Sequence, residues 1–202
     1  MRLIAEGLSA SRGGEAVFEE IGFALDSGEA LVVTGPNGAG KSTLLRVIAG
    51  LLPVTSGRVR LDGGGELFPS PASACHYLGH LNAMKPALTV AENLAFWQDF
   101  LGAPHRPVEA AIDAVGLNGL DHLPFGVLST GQKRRASIAR LLATHRPVWL
   151  LDEPTSGLDT ASEARFTALV NAHLAEGGIV VAATHLPLGL EGAHTLRMEP
   201  RR

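Results

Sequence analysis

The sequence predicts an α/β fold built on a parallel sheet, and two observations lead to this prediction. Three short apolar runs, ALVVT, VWLL and IVVAAT, each end in polar residues, which is typical of buried strands. Stretches with helical periodicity lie between these runs, and an alternation of strands and helices favours a parallel sheet covered on both faces. A chain of 202 residues buries about 70% of its unfolded surface on folding, so it has room for this core.

Three further strands and an all-helical region complete the predicted architecture. The strands LIAEGL, AVFEEIGFAL and GRVRLDG alternate in hydropathy and are separated by Gly-rich turns, which indicates a small antiparallel β subdomain. Residues from about 85 to 145 carry few strand signals, so we expect a helical subdomain inserted into the core of a single domain, 1–202. Only PSPAS, residues 69–73, resembles a linker. The predicted helices are KSTLLRVIAGLL, TVAENLAFWQDFLG, PVEAAIDAVGL, STGQKRRASIARLLAT and TASEARFTALVNAHLAE.

Composition and charge narrow the classes of function. The net charge is -3 and charged residues make up 18% of the chain, so the protein lacks the basic excess of a nucleic-acid-binding domain. Cys75 is the single cysteine, which excludes an intramolecular disulfide and suits a reducing compartment. The sequence shows neither a secretory signal nor an apolar run of about 18 residues, so we expect a soluble chain that reaches a membrane only through a partner.

A glycine-rich loop gives the strongest indication of chemistry. GPNGAGKST fits the pattern G-x-x-x-x-G-K-[ST] and lies between the strand ALVVT and the helix KSTLLRVIAG. Its amide groups and the helix N-terminus favour phosphate, Lys41 reaches the β and γ phosphates, and the Ser42 hydroxyl is a ligand for Mg²⁺. The predicted nucleotide-binding residues are Gly35, Pro36, Asn37, Gly38, Ala39, Gly40, Lys41, Ser42 and Thr43.

Two adjacent carboxylates follow the buried run VWLL. Asp152 suits the Mg²⁺ shell, while Glu153 points in another direction at the strand end and suits a role in orienting or deprotonating water. His185 follows the run IVVAAT as a neutral donor and acceptor for the γ-phosphate or the water. Each residue alone also fits an ordinary strand exit, so these roles depend on the phosphate loop. The predicted catalytic residues are Glu153, His185 and Lys41, and the predicted metal ligands are Ser42 and Asp152.

The stretch LSTGQKRR predicts the start of a helix. Ser129 and Gln132 have the spacing of a capping box. The opening turn then holds one lysine and two arginines, Lys133 to Arg135, although a helix N-terminus already carries about half a positive charge. Screening by solvent is one explanation for this crowding of cations, and a bound anion is the other.

Two other groups of residues receive structural interpretations. Cys75, His76 and His80 lack a recognised spacing for metal ligands, so we expect no metal site there. The aromatic residues of FWQDF, 96–100, lie on one predicted helix and are expected to form either core or a partner-facing patch. We do not expect them to bind a cofactor.

The motifs GPNGAGKST, LSTGQKRR, VWLLDEP, SGLD and TH, in this order, resemble those of an ABC-transporter ATP-binding subunit over nearly the whole chain. The resemblance implies a P-loop NTPase core that binds ATP and Mg²⁺. It implies ATP hydrolysis that drives integral membrane permease subunits from the cytoplasmic face of the inner membrane, with no nucleic-acid partner. It also implies an ATP-bound homodimer in which the signature of one protomer caps the ATP of the other. The phosphates of that ATP would account for the cationic turn of LSTGQKRR. The signature residues that act in trans are Ser129, Thr130, Gly131, Gln132 and Asp159.

A closer resemblance is carried by YLGHLNAMKPALTVAENLAFW, residues 77–97, and by THLPL, residues 184–188. These segments are similar to the ATP-binding subunit of the haem exporter of cytochrome c biogenesis, which has a Gly-His pair, a Lys and L-T-x-x-E-N-L in this region. The resemblance implies a membrane complex that works on haem for a periplasmic haem chaperone, while the ATPase itself does not bind haem.

Three positions depart from the family pattern. Leu81 stands where a Gln normally contacts Mg²⁺ and couples to the membrane subunit, and Asn82 is a candidate substitute. The position expected to stack on adenine is not aromatic, which leaves Arg12 or Phe18 as candidates. Thr130 replaces the smaller Gly or Ala that is usual in the signature.

Other functions stay open from the sequence. The chain also fits the ATPase subunit of an exporter of another substrate, or a soluble ABC-type module that acts on ribosomes or DNA. Such a module usually needs two linked nucleotide-binding halves or a long coiled coil, whereas this chain has one set of motifs and no sustained heptads. A P-loop kinase would leave LSTGQ and SGLD unexplained.

Overall fold

A computed structural model describes residues 1–185 and 188–199 and confirms the predicted α/β fold. The strands are β1 (Arg2–Arg12), β2 (Glu15–Asp26), β3 (Ala30–Thr34), β4 (Ser56–Asp62), β5 (Cys75–Leu78), β6 (Val148–Asp152), β7 (Ile179–Ala183) and β8 (His194–Arg197). The helices are α1 (Lys41–Ile48), α2 (Pro71–Ala74), α3 (Val90–Leu101), α4 (Val108–Ala114), α5 (Thr130–Ala143) and α6 (Thr160–Ala175), with a short 3-10 helix at Phe125–Val127. The three predicted apolar runs correspond to β3, β6 and β7.

The chain divides into two compact units. The first comprises Met1–Gly79, Arg146–Pro154 and Val170–Arg202, and the second comprises His80–His145 and Thr155–Leu169. The helices α3, α4 and α5 all lie in the second unit, and residues 85–145, where we expect a helical subdomain, belong to that unit. The interpretation of 1–202 as a single domain stays a prediction. Within the described residues, no helix has both the length and the hydropathy that a membrane crossing requires.

Five parallel strands form the larger sheet, in the order β5-β6-β7-β3-β8. Every residue of β6 and β7 is buried, as expected for central strands covered on both faces. Because the strands are parallel, the carboxyl ends of β3, β6 and β7 lie along the same edge of the sheet. The segments that leave these strands after Thr34, Asp152 and Ala183 therefore meet at the edge where open α/β sheets bind ligands.

A three-stranded antiparallel sheet, in the order β2-β1-β4, belongs to the same unit and confirms the predicted β subdomain. One apolar core joins this sheet, α1 and the parallel sheet. Its fully buried members include Leu3 and Leu8 of β1, Leu44 and Leu45 of α1, and Val33 of β3. Full burial of one such leucine contributes about 1.5–3 kcal/mol, so this cluster anchors α1 behind the phosphate loop.

The entry to α3 is held by polar residues of the L-T-x-x-E-N-L segment. Thr89 and Glu92 form a capping box, in which Thr89 Oγ1 accepts from the Glu92 amide at 3.1 Å and Glu92 Oε2 accepts from the Thr89 amide at 2.7 Å. Asn93 is buried, and its side chain accepts from the Lys85 amide and donates to the carbonyl oxygens of Lys85 and Leu88. This part of the resemblance therefore has a structural explanation, because its Thr, Glu and Asn fix the start of the helix.

Two local predictions are wrong. The first helix ends at Ile48 rather than at Leu52, because Gly50 adopts φ 70° and the chain leaves the helix there. The PSPAS patch is not a linker, since it contains the turn α2, whose N-terminus is capped by Ser70. In both places, local backbone geometry overrides what composition suggested.

The aromatic residues of α3 form a surface cluster rather than core. The rings of Phe96 and Phe100 stack with centroids 5.9 Å apart, and Trp97 contacts both rings edge-on. Phe100 is 69% exposed, while Trp97 Nε1 donates to the carbonyl oxygen of Ala83 at 2.9 Å. The expectation that these rings form core is therefore wrong. The alternative, a patch that faces a partner, stays a prediction.

Candidate functional site

The phosphate loop connects β3 to α1 at the edge where the parallel strands end. Gly40, immediately before α1, has φ 93°, and a Cβ atom at this position would lie 2.7 Å from Cγ1 of Val17. Glycine is required here, because other residues rarely adopt this conformation and the adjacent space is filled. The N-terminus of α1 has no side-chain cap, so its first amide groups are left to face a ligand.

Lys41 is buried in the loop, with only 8% of its surface exposed. Its Nζ donates to the carbonyl oxygens of Gly35 and Pro36, at 2.7 and 3.0 Å, and lies 3.3 Å from Nε2 of His185. An ammonium group has three donors, and these three neighbours match them. The loop therefore holds the Lys41 ammonium group in place, and this group can exchange its carbonyl partners for phosphate oxygens.

Asp152, at the end of β6, is buried and accepts hydrogen bonds from two different elements. The hydroxyl of Ser42, at the start of α1, donates to Oδ1 at 2.9 Å. The hydroxyl of Tyr77, in β5, donates to Oδ2 at 3.1 Å. The two residues predicted as metal ligands, Ser42 and Asp152, thus lie in contact. A hydroxyl and a carboxylate are oxygen donors of the kind that suits a hard cation such as Mg²⁺.

Glu153 has a strained backbone conformation. Its φ of 44° lies in a region that residues other than glycine rarely occupy. Its amide donates to the carbonyl oxygen of Ala183, at the end of the neighbouring strand β7, at 2.8 Å. Strain of this kind costs about 1–3 kcal/mol and is found preferentially at functional sites. The tight turn gives the adjacent carboxylates of Asp152 and Glu153 different environments.

His185 connects the phosphate loop to the strand-end carboxylate. Its Nε2 lies 3.0 Å from Oδ1 of Asn37, 3.3 Å from Nζ of Lys41 and 3.6 Å from Oε1 of Glu153. The tautomer protonated on Nε2 donates to Asn37 or Glu153, whereas the other tautomer accepts from Lys41. The ring can therefore change partners without moving.

These residues surround a cleft of about 480 Å³, a size that suits a small-molecule ligand. The cleft lies wholly within the first unit. Arg12, one of the two adenine-stacking candidates, lines it, whereas Phe18 is buried in the core. The lining residues are Arg12, Glu15, Ala16, Val17, Asn37, Gly38, Gly40, Lys41, Ser42, Thr43, Asp152, Glu153 and His185.

The LSTGQ segment belongs to the second unit and opens α5 with the capping box that its spacing predicts. Ser129 Oγ accepts from the Gln132 amide at 3.3 Å, and Gln132 Oε1 accepts from the Ser129 amide at 2.8 Å. Ser129 and Thr130 are exposed. Gly131 packs against the SGLD segment so closely that a Cβ atom there would lie 3.2 Å from the carbonyl oxygen of Gly157. The fold therefore joins two motifs that are separate in sequence.

Asp159, in the same unit, caps the helix that follows SGLD. Its Oδ1 accepts from the amide of Ser162, near the start of α6, at 2.7 Å. This hydrogen bond is the main cause that lowers the pKa of the Asp159 carboxyl, and the positive charge of Arg135 contributes less. The capping role is structural, and the role of Asp159 in a dimer stays a prediction.

The cations in the first turn of α5 occupy different environments. Arg135 Nη1 donates to the carbonyl oxygens of Val115 and Gly116, which directly follow α4. Arg134 is buried and Lys133 is partly buried. Because a positive charge is favoured at a helix C-terminus, Arg135 stabilises α4. This contact gives one of the three cations a structural role that needs no bound anion. The anion is therefore needed to explain at most Lys133 and Arg134.

A family model described as "ABC transporter" matches residues 18–156. The matched range includes the phosphate loop, the LSTGQ segment and the two carboxylates at the end of β6. This chain belongs to the ABC transporter family. ABC transporter subunits of this type bind ATP and couple its hydrolysis to transport, and the chain is therefore an ABC-type ATPase.

Curated ABC transporter proteins are similar along almost the whole chain. The cytochrome c biogenesis ATP-binding export protein CcmA of Mesorhizobium japonicum is 70% identical over 198 residues, which cover 98% of each chain. The proteins of the same name from Rhizobium meliloti and Brucella abortus are 61% and 60% identical. Those matches cover 98% and 96% of this chain and 98% and 89% of the relatives. Within the ABC transporters, the chain thus belongs with these export proteins.

Solved ABC transporter structures share the fold. A putative ABC transporter ATP-binding protein from Pyrococcus furiosus has a TM-score of 0.83 at 22% identity, with 98% of each chain covered. A bacterial Atm1-family ABC exporter with ATP bound has a TM-score of 0.81 at 22% identity and covers all of this chain and 38% of its own. At this identity the comparison establishes the fold alone.

One residue of the site was not expected from the sequence, and two expected features lie outside the cleft or outside the described residues. Tyr77 was missed as a partner of Asp152, because only the strand order of the folded sheet places β5 beside β6. Leu81, in place of the usual Gln, belongs to the second unit and is 81% exposed. Of the THLPL segment, residues 186 and 187 lie outside the described residues.

Proposed function

We propose that this chain is the ATP-hydrolysing subunit of a membrane complex that exports or delivers haem in cytochrome c biogenesis. The observation that carries the ATPase chemistry is the meeting of Lys41, Ser42, Asp152, Glu153 and His185 at one cleft. The haem pathway is supported by 70% identity to a cytochrome c biogenesis ATP-binding export protein over 98% of both chains.

Phosphate binding is assigned to the loop from Gly35 to Thr43. The uncapped N-terminus of α1 offers backbone amides and the positive end of the helix dipole. Lys41 exchanges its hydrogen bonds to the loop carbonyls for bonds to the β and γ phosphates. Because these carbonyl partners lie in the same loop, the ammonium group is already positioned before nucleotide arrives.

Mg²⁺ is assigned to Ser42 and Asp152. The Ser42 oxygen lies 2.9 Å from Asp152 Oδ1, so both oxygens can contribute to one coordination shell, directly or through water. When bound, Mg²⁺ neutralises the charge that develops on the β and γ phosphates. Ser42 would hold Mg²⁺ through its hydroxyl oxygen while its proton is donated to Asp152.

Glu153 is assigned as the general base. The oxygen of a water molecule attacks the γ phosphorus, and the bond from this phosphorus to the β–γ bridging oxygen breaks as ADP leaves. The proton of the water passes to the Glu153 carboxylate. His185 orients the water or the γ-phosphate, since its Nε2 lies within 3.6 Å of both Glu153 Oε1 and Lys41 Nζ.

The signature is assigned to the ATP site of a second copy of the chain. Ser129, Thr130, Gly131 and Gln132 would contact the γ-phosphate held by the partner, and Asp159 would lie at the dimer seam. Exposure of Ser129 and Thr130 at the N-terminus of a 14-residue helix supports this assignment. ATP therefore acts as the bridge between two chains, and its hydrolysis separates them.

Membrane permease subunits are the proposed recipients of this motion. The chain would act at the cytoplasmic face of the inner membrane as a peripheral subunit, and the permease rather than the ATPase would handle haem. The export role in the names of the relatives is what supports this arrangement. No nucleic-acid partner is proposed, in keeping with the net charge of -3.

Affinity purification of a Glu153→Gln chain from native membranes tests the proposal. This variant should bind Mg·ATP without hydrolysing it, so the ATP-bound complex should accumulate. Mass spectrometry of the co-purified proteins should then identify membrane proteins of cytochrome c maturation. The matched control is the same purification with the Lys41→Ala chain, which should not retain the ATP-dependent partners.

The possible outcomes separate the parts of the proposal. Recovery of an unrelated permease would overturn the haem assignment and leave the ATPase chemistry standing. Recovery of ribosomal or DNA-associated proteins alone would overturn the transport role. A Glu153→Gln chain that stays monomeric in sedimentation with Mg·ATP and its membrane partner would overturn the signature assignment.

A further inference from the structure

We propose that Tyr77 is a positioning residue that orients the Asp152 carboxylate for metal binding. The inference rests on the proposed function, in which Asp152 holds Mg²⁺. It concerns a residue outside the phosphate loop, the carboxylate pair and the signature. Its basis is a chain of hydrogen bonds that crosses three elements of the first unit, from α1 through β5 to β6.

The two oxygens of the Asp152 carboxylate have different partners. Ser42 Oγ donates to Oδ1 at 2.9 Å, and Tyr77 Oη donates to Oδ2 at 3.1 Å. Asp152 is only 6% exposed, so solvent contributes little to its orientation. With Oδ2 held by the phenol, Oδ1 is the oxygen presented to Ser42 and to the metal.

Arg46 determines the direction in which the Tyr77 hydroxyl points. Arg46 Nε donates to Tyr77 Oη at 3.2 Å. A guanidinium group has no acceptor, so the phenol oxygen must receive this bond with a lone pair. The single phenol proton is then left for Asp152. The positive charge of Arg46, one helical turn after Ser42 in α1, thus acts on the carboxylate through the tyrosine.

The backbone provides the space for the phenol ring. The ring of Tyr77 lies over the Cα atom of Gly79, where an added Cβ would be 2.6 Å from Cε1 and 2.9 Å from Oη. Any larger residue at position 79 would push the ring and its hydroxyl away from their present positions. The hydroxyl is therefore placed from three sides, by Arg46, by Asp152 and by the bare backbone at Gly79.

Loss of this hydroxyl should weaken metal binding more than nucleotide binding. Without the bond to Oδ2, the Asp152 carboxylate loses one of the contacts that set its rotation, although Ser42 still donates to Oδ1. Removal of a residue that orients a metal ligand typically weakens metal affinity about 10- to 100-fold. The contacts of the phosphate loop with phosphate do not pass through Tyr77, so metal-free nucleotide binding should not change.

The first test compares Mn²⁺ binding by the whole chain and by its Tyr77→Phe variant in the presence of ADP. Electron paramagnetic resonance reports free and bound Mn²⁺ directly, and the expected result is an affinity about tenfold lower in Tyr77→Phe. ADP affinity measured in EDTA should be equal in the two chains. Ser137→Ala, which removes a buried hydroxyl in the second unit, is the matched control and should bind Mn²⁺ normally.

Asp152→Asn separates this inference from the function on which it rests. If Asp152→Asn binds Mn²⁺ as tightly as the unaltered chain, the proposed metal site itself is wrong. If Asp152→Asn binds weakly while Tyr77→Phe binds normally, the metal site stands and the role of Tyr77 is overturned.

A second measurement uses the fact that Tyr77 is the single tyrosine of the chain. Incorporation of 3-fluorotyrosine yields one ¹⁹F resonance, which should shift when Mg·ADP binds and shift less when ADP binds in EDTA. Gly79→Ala should displace this resonance and weaken Mn²⁺ binding although the hydroxyl is still present. A resonance that responds equally to ADP with and without metal would overturn the inference.

Discussion

The N-termini of α1 and α5 are both assigned to phosphate, yet they are built in opposite ways. Helix α1 begins after Gly40 in a left-handed conformation and has no side-chain cap. Helix α5 begins after Ser129, which forms a complete capping box in which the Gln132 amide is already bonded. The first turn of α1 is therefore arranged to receive a ligand with its backbone, whereas the first turn of α5 is stable without one.

This difference indicates what each terminus contributes. A cap is worth about 1 kcal/mol, so α1 lacks local stability that we expect bound phosphate to supply. At α5, the Ser129 hydroxyl caps its own helix and is also the group assigned to the partner's phosphate. The cleft also stores strain at Glu153, while no residue from Ser129 to Ala143 has a positive φ. We therefore expect substitutions at the start of α1 to weaken nucleotide binding. Substitutions at the start of α5 should instead weaken ATP-dependent dimerisation.

The largest effect is expected from Lys41→Ala, which removes the buried cation of the loop. ATP turnover should fall at least about 100-fold, because the charge that meets the β and γ phosphates is lost. Nucleotide binding by calorimetry and phosphate release give the two readouts. Lys85→Ala is the control, because the Lys85 ammonium lies over the Phe96 ring in the other unit and should leave turnover unchanged. Equal turnover in Lys41→Ala and Lys85→Ala would contradict the assignment of the loop.

The next effect concerns Gly40, whose conformation leaves α1 uncapped. Gly40→Ala places a Cβ atom 2.7 Å from Cγ1 of Val17 in a backbone conformation that alanine resists. The variant should lose about 1–3 kcal/mol of unfolding free energy in urea and bind ADP more weakly. Gly38→Ala is the comparison, since a Cβ atom at Gly38 meets nothing within 4 Å. A Gly40→Ala chain as stable as Gly38→Ala would show that crowding at Val17 is unimportant.

Two substitutions at Ser129 separate capping from assembly. Ser129→Ala should lower the unfolding free energy by about 1 kcal/mol, because the Gln132 amide loses its acceptor. Ser129→Asp should keep the stability, since aspartate is also a good cap, but should prevent ATP-dependent dimers by placing a carboxylate where a phosphate is expected. Urea unfolding and sedimentation with Mg·ATP measure the two effects. Dimers formed normally by Ser129→Asp would argue against the signature contact in trans.

Glu153→Gly should relieve the strain at the cleft. Glycine occupies positive φ without penalty, so the melting temperature should rise by about 2–4 °C relative to Glu153→Ala, for a gain of about 1 kcal/mol. Both variants should lack turnover, because both lack the general base. Scanning calorimetry gives the comparison, and a melting temperature no higher in Glu153→Gly would show that the turn is not strained.

The smallest effect is a pH dependence from Asp159. Its pKa is lowered in the folded chain by the hydrogen bond from the Ser162 amide, so it contributes stability above the pKa of the unfolded state, and that stability is lost as pH falls through the folded pKa. Asp159→Asn keeps a capping oxygen but does not titrate. The melting temperature of Asp159→Asn should therefore fall less steeply below about pH 4 than that of the unaltered chain. If the melting temperatures of the two chains fell in parallel with pH, Asp159 would not contribute to the loss of stability in acid.

The sequence alone determined the parts of this protein that depend on local pattern. Short apolar runs that end in polar residues are typical of buried strands, and β3, β6 and β7 lie where they were expected. The spacing of Ser129 and Gln132 predicted the cap of α5, since a capping box requires only a turn of helix. The phosphate loop was recognisable because its glycines and Lys41 lie within one short segment, from Gly35 to Lys41.

The tertiary structure decided which separate segments meet. The strand order β5-β6-β7-β3-β8 brings Tyr77 beside Asp152, and no local pattern encodes a hydrogen bond between residues 75 positions apart. The same is true of Arg135, whose donation to a carbonyl oxygen just after α4 gives its charge a role besides the two expected ones, solvent screening and anion binding. Periodicity records which face of an element is buried, whereas a site is formed by residues that only packing brings together.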